Sequence, residues 1–434
     1  MDRNSKNKNL NRRLRFRHVF LILCAALLVS AAFYGIVRAL TTHSAVPAQS
    51  SWNPSSAASQ SVFSQVPKVS SAPASSEPVS SEPSSAVQKP VSITILGAGD
   101  NLIHDIIYEE ANARAGGKGY DFKPVYARIA PQIKAADISV LNQETILADK
   151  IAPPSGYPIF NSPTALGDEM VNIGFDVINH ANNHILDLGE KGIKATLDYW
   201  AQKPVAVVGA YRNDADLENI RIVEAKGIKT AHIGITEMTN GLYLPKNSNY
   251  RLIYASNTPL IERLIKKAKS MADVVVISVH WGNEDTFTLT DQQTQLAQNM
   301  VNWGADIIFG NHPHVLQKLT VLTRPDGTRC PVIFALGNLV SAQERGENMI
   351  SGLLTVTMTK NFETGKTSFT SMKLTPVITQ YGPRCTNITI YPLRDYTEAL
   401  AQAHGVRRYT PEFNLHFIQY VLDQTIPKEY RDES

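Results

Sequence analysis

Residues 274–279 read Val-Val-Val-Ile-Ser-Val, a nearly unbroken run of β-branched side chains. Such residues favour extended backbone. A strand without polar alternation has to be covered on both faces, which restricts the chain to folds with a sheet enclosed by other layers. The surroundings agree. Residues 260–271 form an amphipathic helical pattern with Lys and Arg outward, 291–303 a second helix, and 307–309 another apolar strand. Upstream the same alternation predicts strands at 92–96, 138–141, 175–178, 204–208 and 230–235. Helices are expected at 122–136, with Pro131 as an interruption, at 164–173 and at 189–200. Ser162 is the expected N-cap of the second, with Pro163 at its first position. Another strand is expected at 332–336. The expected fold class is therefore α/β with a largely central sheet. Beyond residue 350 the stretches 352–358, 368–374 and 387–391 alternate and predict antiparallel strands completing a second sheet. Residues 395–434 are more polar and read as partly helical near 413–422.

The chain has 434 residues and a net charge of +3, so nothing in its charge balance suggests nucleic acid as a partner. Its organisation is segmental. Residues 1–18 are basic, through Lys6, Lys8, Arg12, Arg13, Arg15 and Arg17. Residues 19–40 contain the uncharged run 19–37, long enough for one bilayer crossing at ~20 residues per helix. The basic flank favours a cytoplasmic N-terminus. The run reads as an uncleaved signal anchor rather than a secretory signal cut at Ser44–Ala48, because it exceeds the ~7–15 residues of a usual signal core. Either way the remaining chain is expected outside the cell, on a single-pass anchor. Residues 41–90 are rich in Ser, Pro and Ala, a composition too poor in large apolar groups to pack, and are expected to be a disordered spacer. A domain at 91–394 and a tail at 395–434 complete the expected division. Cys330 and Cys385 are the cysteines outside the apolar run, and a disulfide between them is not favoured.

The residues just beyond each strand are informative. Asp100 and His104 come after the first, and Asn142 and Glu144 after the second. The third is succeeded by Asn179, His180, Asn183, His184 and Asp187. His280, Trp281 and Glu284 come after the 274–279 run, and His312 and His314, in Gly-Asn-His-Pro-His, after 307–309. In an open α/β sheet the ligand site lies outside the carboxyl ends of the strands. Five strand ends thus deliver nitrogen and carboxylate donors, without thiolate, to one edge. This chemistry favours Mn, Fe or Zn, as one or two divalent ions. Alternation along an extended segment would put His312 and His314 on one side.

The motifs GDNLIH, NQET, GFDVINHANNHILDLG, VHWGNED, GADIIFGNHPHVLQ and FALGNLV, in this order from about residue 93 to 340, resemble the CapA family of poly-γ-glutamate capsule biosynthesis proteins. That family is similar in fold to metallo-dependent phosphatases. The resemblance implies a four-layer α/β/β/α sandwich with a dinuclear centre. It implies Asp100 and His314 on a first metal and Glu144 bridging. Asn183, His280 and His312 would hold a second metal, and His184 would be the general acid. Leu102 stands where the usual motif has a histidine, and Glu144 replaces the usual bridging aspartate. The implied activity is metal-dependent hydrolysis of a phosphoester-type bond, for synthesis or export of an anionic envelope polymer. The implied partners are the membrane, the polymer or a phosphorylated substrate, and membrane-bound synthase or export proteins. The alternative is a non-catalytic polymer-binding or scaffold component.

Several residues keep two readings. His104 either opens a helix or contacts the site. Asp187 either caps the helix at 189 or orients His184. Trp281 is either core or substrate platform, and Glu284 either a site carboxylate or a solvated one. Asn142 and Asn338 are candidates to face the site, Asn338 equally a turn residue. His180, His232, His404 and His416 read as structural or surface residues.

Overall fold

The computed structural model describes residues 89–432. The basic N-terminus, the apolar run 19–37 and nearly all of the spacer lie outside the described residues. Among the described residues no helix is long and apolar enough to cross a membrane.

The strands in chain order begin with β1 (Val91–Asn101), β2 (Ile138–Asn142), β3 (Val177–Asn179) and β4 (Ala206–Val208). Next come β5 (Arg221–Ala225), β6 (Ile228–Thr236), β7 (Val274–His280), β8 (Ile307–Asn311), β9 (Leu319–Thr323) and β10 (Arg329–Ile333). The last are β11 (Asn338–Val340), β12 (Ile350–Asn361), β13 (Lys366–Gln380) and β14 (Thr389–Pro392). They form two mixed sheets. The first has the order β14-β13-β12-β1-β2-β3-β4, with β11 also paired to β1, and the second β5-β6-β7-β8-β10-β9. β1 to β4 run parallel, as do β6, β7, β8 and β10.

The run at 274–279 is buried throughout, as its composition requires. Val274 and Val276 face the core shared with the first sheet. Val275, Ile277 and Val279 pack on Ile261, Leu264 and Met300 of the helices Thr258–Met271 and Asp291–Trp303. The two sheets approach closely at β1. A Cβ on Gly97 would lie 2.5 Å from the Phe309 ring, so only glycine fits there. Val140 is the register partner of Gly97 on this inner face. Its neighbour Ser139 points the other way and donates through Oγ to Ile133 O, at 2.9 Å, of the helix Ala130–Ala135. Helix, sheet, sheet and helix thus form four layers.

Some local expectations fail for identifiable reasons. The expected helix at 122–136 is two short ones, Lys123–Tyr126 and Ala130–Ala135. Ser162 is not a cap. Its Oγ lies 2.7 Å from Thr145 Oγ1, Pro163 takes the N-cap position, and Asp149 accepts from Thr164 N at 2.9 Å. The strands after residue 350 do not build a second sheet: β12 pairs antiparallel with β1 and extends the first. β5 and β9, at the edges of the second sheet, had no reading in the sequence; they are short and only partly buried. Residues beyond 395 pack Ala401, Val406, Phe413, Ile418, Val421 and Leu422 into the main core. Cys330 and Cys385 are both free thiols.

Candidate metal centre

Parallel strands end together, so the polar residues beyond β1, β2, β3, β7 and β8 meet at one edge. Asp100 is fully buried at the end of β1. Its Oδ1 accepts from Asn142 Nδ2 at 2.6 Å and its Oδ2 from His312 N at 3.1 Å. Asn142 is held in turn by Asn179, whose Nδ2 donates to Asn142 Oδ1 at 2.8 Å. Asn142 and Asn179 are register partners on β2 and β3, so a ladder of side-chain amides fixes the aspartate. The positioning role of Asn179 had only one signal in the sequence, its place at a strand end.

His280 ends β7. Its Nε2 lies 2.9 Å from Asn183 Oδ1 and 3.1 Å from His312 Nδ1. His314 occupies the other half: its Nδ1 is 2.9 Å from Asn338 Oδ1 and 3.4 Å from Asp100 Oδ2. His312 and His314 do not converge by strand alternation. Both adopt left-handed backbone, with φ of 96° and 59°. Non-glycine residues hold such conformations only where the surroundings impose them, and here the turn through Pro313 brings His312 beside His280 and His314 beside Asp100.

Glu144 lies between these halves. His280 Nε2 is 3.6 Å and His314 Nε2 3.8 Å from its Oε1. The carboxylate is 0% exposed and neither oxygen accepts a hydrogen bond. A buried carboxylate that accepts no hydrogen bond is costly, so such a group favours a cation bound beside it. Donor atoms lie within 4.8 Å of one another in three groupings: Glu144 with His280 and His312, Asp100 with Glu144 and His314, and Glu284 with His312 and His314. The donor set therefore fits divalent ions, and Glu144 belongs to both buried groupings. The 3.1 Å between His280 Nε2 and His312 Nδ1 suits two nitrogens on one ion at ~2.0–2.1 Å each.

Electrostatics give the same picture. Burial, reinforced by Asp100, pushes the Glu144 carboxyl well above the usual carboxylate range. Burial also acts to lower His314, but Glu144 and Asp100 outweigh it and raise the imidazole to about 10. Burial and the neighbouring histidines lower His280 well below its ordinary value and His312 to about 3. Burial thus favours the neutral form of His280 and His312, the form that binds metal.

His184 stands beside this cluster. Its Nδ1 is 2.8 Å from Asp187 Oδ2, and the same oxygen accepts from Phe160 N at 2.6 Å. Asp187 therefore orients His184; it does not cap the helix Gly189–Trp200, whose N-cap Leu188 makes no side-chain cap bond. The Phe160 ring meets His184 edge-on at 4.7 Å between centroids and His104 at 5.3 Å. Phe160 was not expected at the site; an aromatic beyond Pro158 in a loop carries no distinctive signal. His104 opens the helix Asp105–Arg114 from its N-cap position, without a side-chain cap bond, and burial lowers its imidazole to about 4. Asn338 serves the site directly: besides meeting His314, its Nδ2 donates to Gln343 Oε1 at 2.7 Å and Ser341 Oγ at 3.0 Å. Glu284 is exposed at the rim. Trp281 does not reach the site. It is buried, stacks on Phe334 and donates from Nε1 to Phe334 O at 2.9 Å, because the residue after His280 points to the opposite face of β7. His180 accepts from Trp200 Nε1 at 2.8 Å and is structural.

The fold is an α/β sandwich of two mixed sheets, and it carries two histidine–carboxylate groupings that could hold metal ions around one shared glutamate. The model of the bacterial capsule synthesis protein PGA_cap family matches residues 94–343, a span that runs from β1 past Asn338, and the chain belongs to that family. It is 35% identical over 191 residues to the PGA biosynthesis protein CapA of Bacillus subtilis (strain 168), covering 44% of this chain and 49% of that protein. It is 37% identical over 175 residues to the capsule biosynthesis protein CapA of Bacillus anthracis, covering 39% and 41%. The match thus spans less than half the length of these curated relatives. Among solved structures it is similar to a putative 5'-nucleotidase from Staphylococcus aureus, at 15% identity and a TM-score of 0.43, over 77% of this chain and 58% of that one.

Proposed function

We propose that this protein is a membrane-anchored, extracytoplasmic hydrolase or transferase of the metallo-dependent phosphatase type. It acts on a phosphate ester or acyl phosphate during synthesis or export of an anionic capsule polymer of the poly-γ-glutamate kind. The observation that carries the reading is Glu144, buried without a hydrogen-bond partner and shared by both donor groupings. Asp100, Glu144 and His314 would hold one divalent ion, and Glu144, Asn183, His280 and His312 a second. Ions held there supply an activated water and neutralise the oxygens of a phosphoryl group. The chain supplies the rest. Asn142, Asn179 and Asn338 fix Asp100 and His314. Asp187 holds His184 Nδ1, so Nε2 is the nitrogen available to protonate a leaving oxygen. Anchoring rests on the uncharged run at 19–37 and its basic flank.

The test uses the purified full-length chain with Mn²⁺ and p-nitrophenyl phosphate or its diester. His184→Ala is expected to keep its metal and lose ~10²–10⁴ in turnover. Wild-type chain that binds metal yet turns over neither compound, together with normal polymer yield in a His184→Ala strain, would replace the hydrolase with a polymer-binding scaffold.

A further inference from the structure

We propose that the cleft between the two sheets, at the edge opposite the metal centre, binds a linear carboxylate polymer. The proposal rests on the capsule-polymer half of the functional reading and not on hydrolysis.

The cleft has a volume of about 710 Å³ and is lined by Lys269, Arg324, Arg329, Lys366, Thr367 and Phe369. Its walls also include Asp273 and Asp306, the residues immediately before β7 and β8. It therefore lies at the ends of those strands that face away from His280 and Asn311.

The acidic groups in this cleft are already occupied. Asp306 accepts from Lys269 Nζ at 2.7 Å, Arg324 Nη2 at 2.9 Å and Val275 N at 2.8 Å. Asp273 pairs with Lys360 Nζ at 2.7 Å and accepts from Lys229 N at 2.9 Å. Asp326 accepts from Thr328 N at 2.8 Å within its own turn. The cations are not all matched. Arg329 and Lys366 make no ion pair among the described residues, and both are exposed. The Arg329 guanidinium lies over the Phe369 ring, 5.1 Å from its centroid, which holds it rigid without neutralising it. Between them Thr367 Oγ1 is buried without a hydrogen-bond partner.

The arrangement selects the ligand. Arg329 begins β10, Lys366 begins β13, and Lys360 lies on the neighbouring β12. A second cavity of about 320 Å³ meets the first at Ala272 and Asp273 and adds Lys229 and Lys360. The two cavities share Ala272 and Asp273, so the positive groups of both are spread along one furrow rather than gathered at one point. Converging cations would suit one multiply charged phosphate. Cations spread along a furrow suit single negative charges repeated along a chain, and Phe369 offers a contact to its backbone.

The experiment measures fluorescence anisotropy of short fluorescein-labelled poly-glutamate with the full-length chain in detergent. Arg329→Ala/Lys366→Ala should weaken binding about tenfold, for the loss of two charge-assisted contacts. Metal content should be unchanged, since neither side chain is buried. His312→Ala/His314→Ala should leave the affinity unchanged. Equal binding by wild type and Arg329→Ala/Lys366→Ala would overturn the proposal. So would equal competition from free glutamate at the same concentration of charge. A chain without phosphoesterase activity that still binds through Arg329 and Lys366 would sink the hydrolase reading and leave this one standing. An active chain indifferent to both residues would do the reverse.

Discussion

Glu144 and Asp306 are both buried carboxylates at sheet edges, and the fold treats them oppositely. Asp306 receives a lysine, an arginine and a backbone N–H. Glu144 receives no hydrogen bond, although Asn142, Gln143 and Thr145 beside it are all bonded. This sheet edge is well supplied with amide donors and directs them to Asp100 and Asn142. The contrast teaches that the orphan carboxylate is not a packing accident. One edge has its counter-charges built into the chain. The other has two histidine groupings around an acid that no hydrogen bond satisfies, an arrangement that suits metal or protons.

The largest effect should come from removing the imidazoles that share the load with Glu144. His312→Ala/His314→Ala should abolish metal uptake, measured by elemental analysis. It should also remove the gain in stability that metal confers, about 2.7 kcal/mol at a hundredfold excess over Kd. A double variant with wild-type metal content would break the comparison at once. Next is the built-in side. Asp306→Asn leaves Lys269 and Arg324 facing an amide and should cost about 3 kcal/mol in chemical denaturation, with metal content unchanged. A smaller effect sharpens the point that buried groups here are matched in one protonation state. His404 bonds through Nδ1 to Val406 N and through Nε2 to Thr379 O, and burial lowers it to about 4. The folded chain keeps it neutral while the unfolded chain binds a proton below about pH 6.5. Its contribution is therefore present above about pH 6.5 and is lost as pH falls towards about 4. His404→Gln should flatten that decline by on the order of 2 kcal/mol in acid titrations of stability. An unchanged pH profile would remove His404 from the account.

The legible parts of this chain were those where one local signal decides the outcome. The β-branched run at 274–279 dictated a strand covered on both faces. The strand ends placed Asp100, Glu144, Asn183, His184, His280, His312 and His314 on one edge, and the structure brings them together there. What stayed hidden depends on partners distant in sequence. Asp187 could cap or orient until Phe160 N and His184 were seen to share its Oδ2. Trp281 kept a site reading beside the core one because of its neighbour, and its bond to Phe334 O settles it in the core. β12 joins β1 rather than a new sheet, a pairing across most of the chain that no local pattern encodes. The left-handed backbone at His312 and His314 was likewise invisible, since neither residue is glycine.

The central claim is that Glu144 is held for a cation. The most direct measurement is denaturant unfolding of wild type and Glu144→Gln, each with and without Mn²⁺, beside elemental analysis. The account predicts that in the metal-free chain Glu144→Gln costs at most about 1 kcal/mol, since the carboxyl accepts no hydrogen bond and its loss removes only the charge pairing with His314. It also predicts that the variant loses the metal-dependent gain and most of the bound metal. A Glu144→Gln chain destabilised without metal as Asp306→Asn should be, and binding as much Mn²⁺ as wild type, would contradict it.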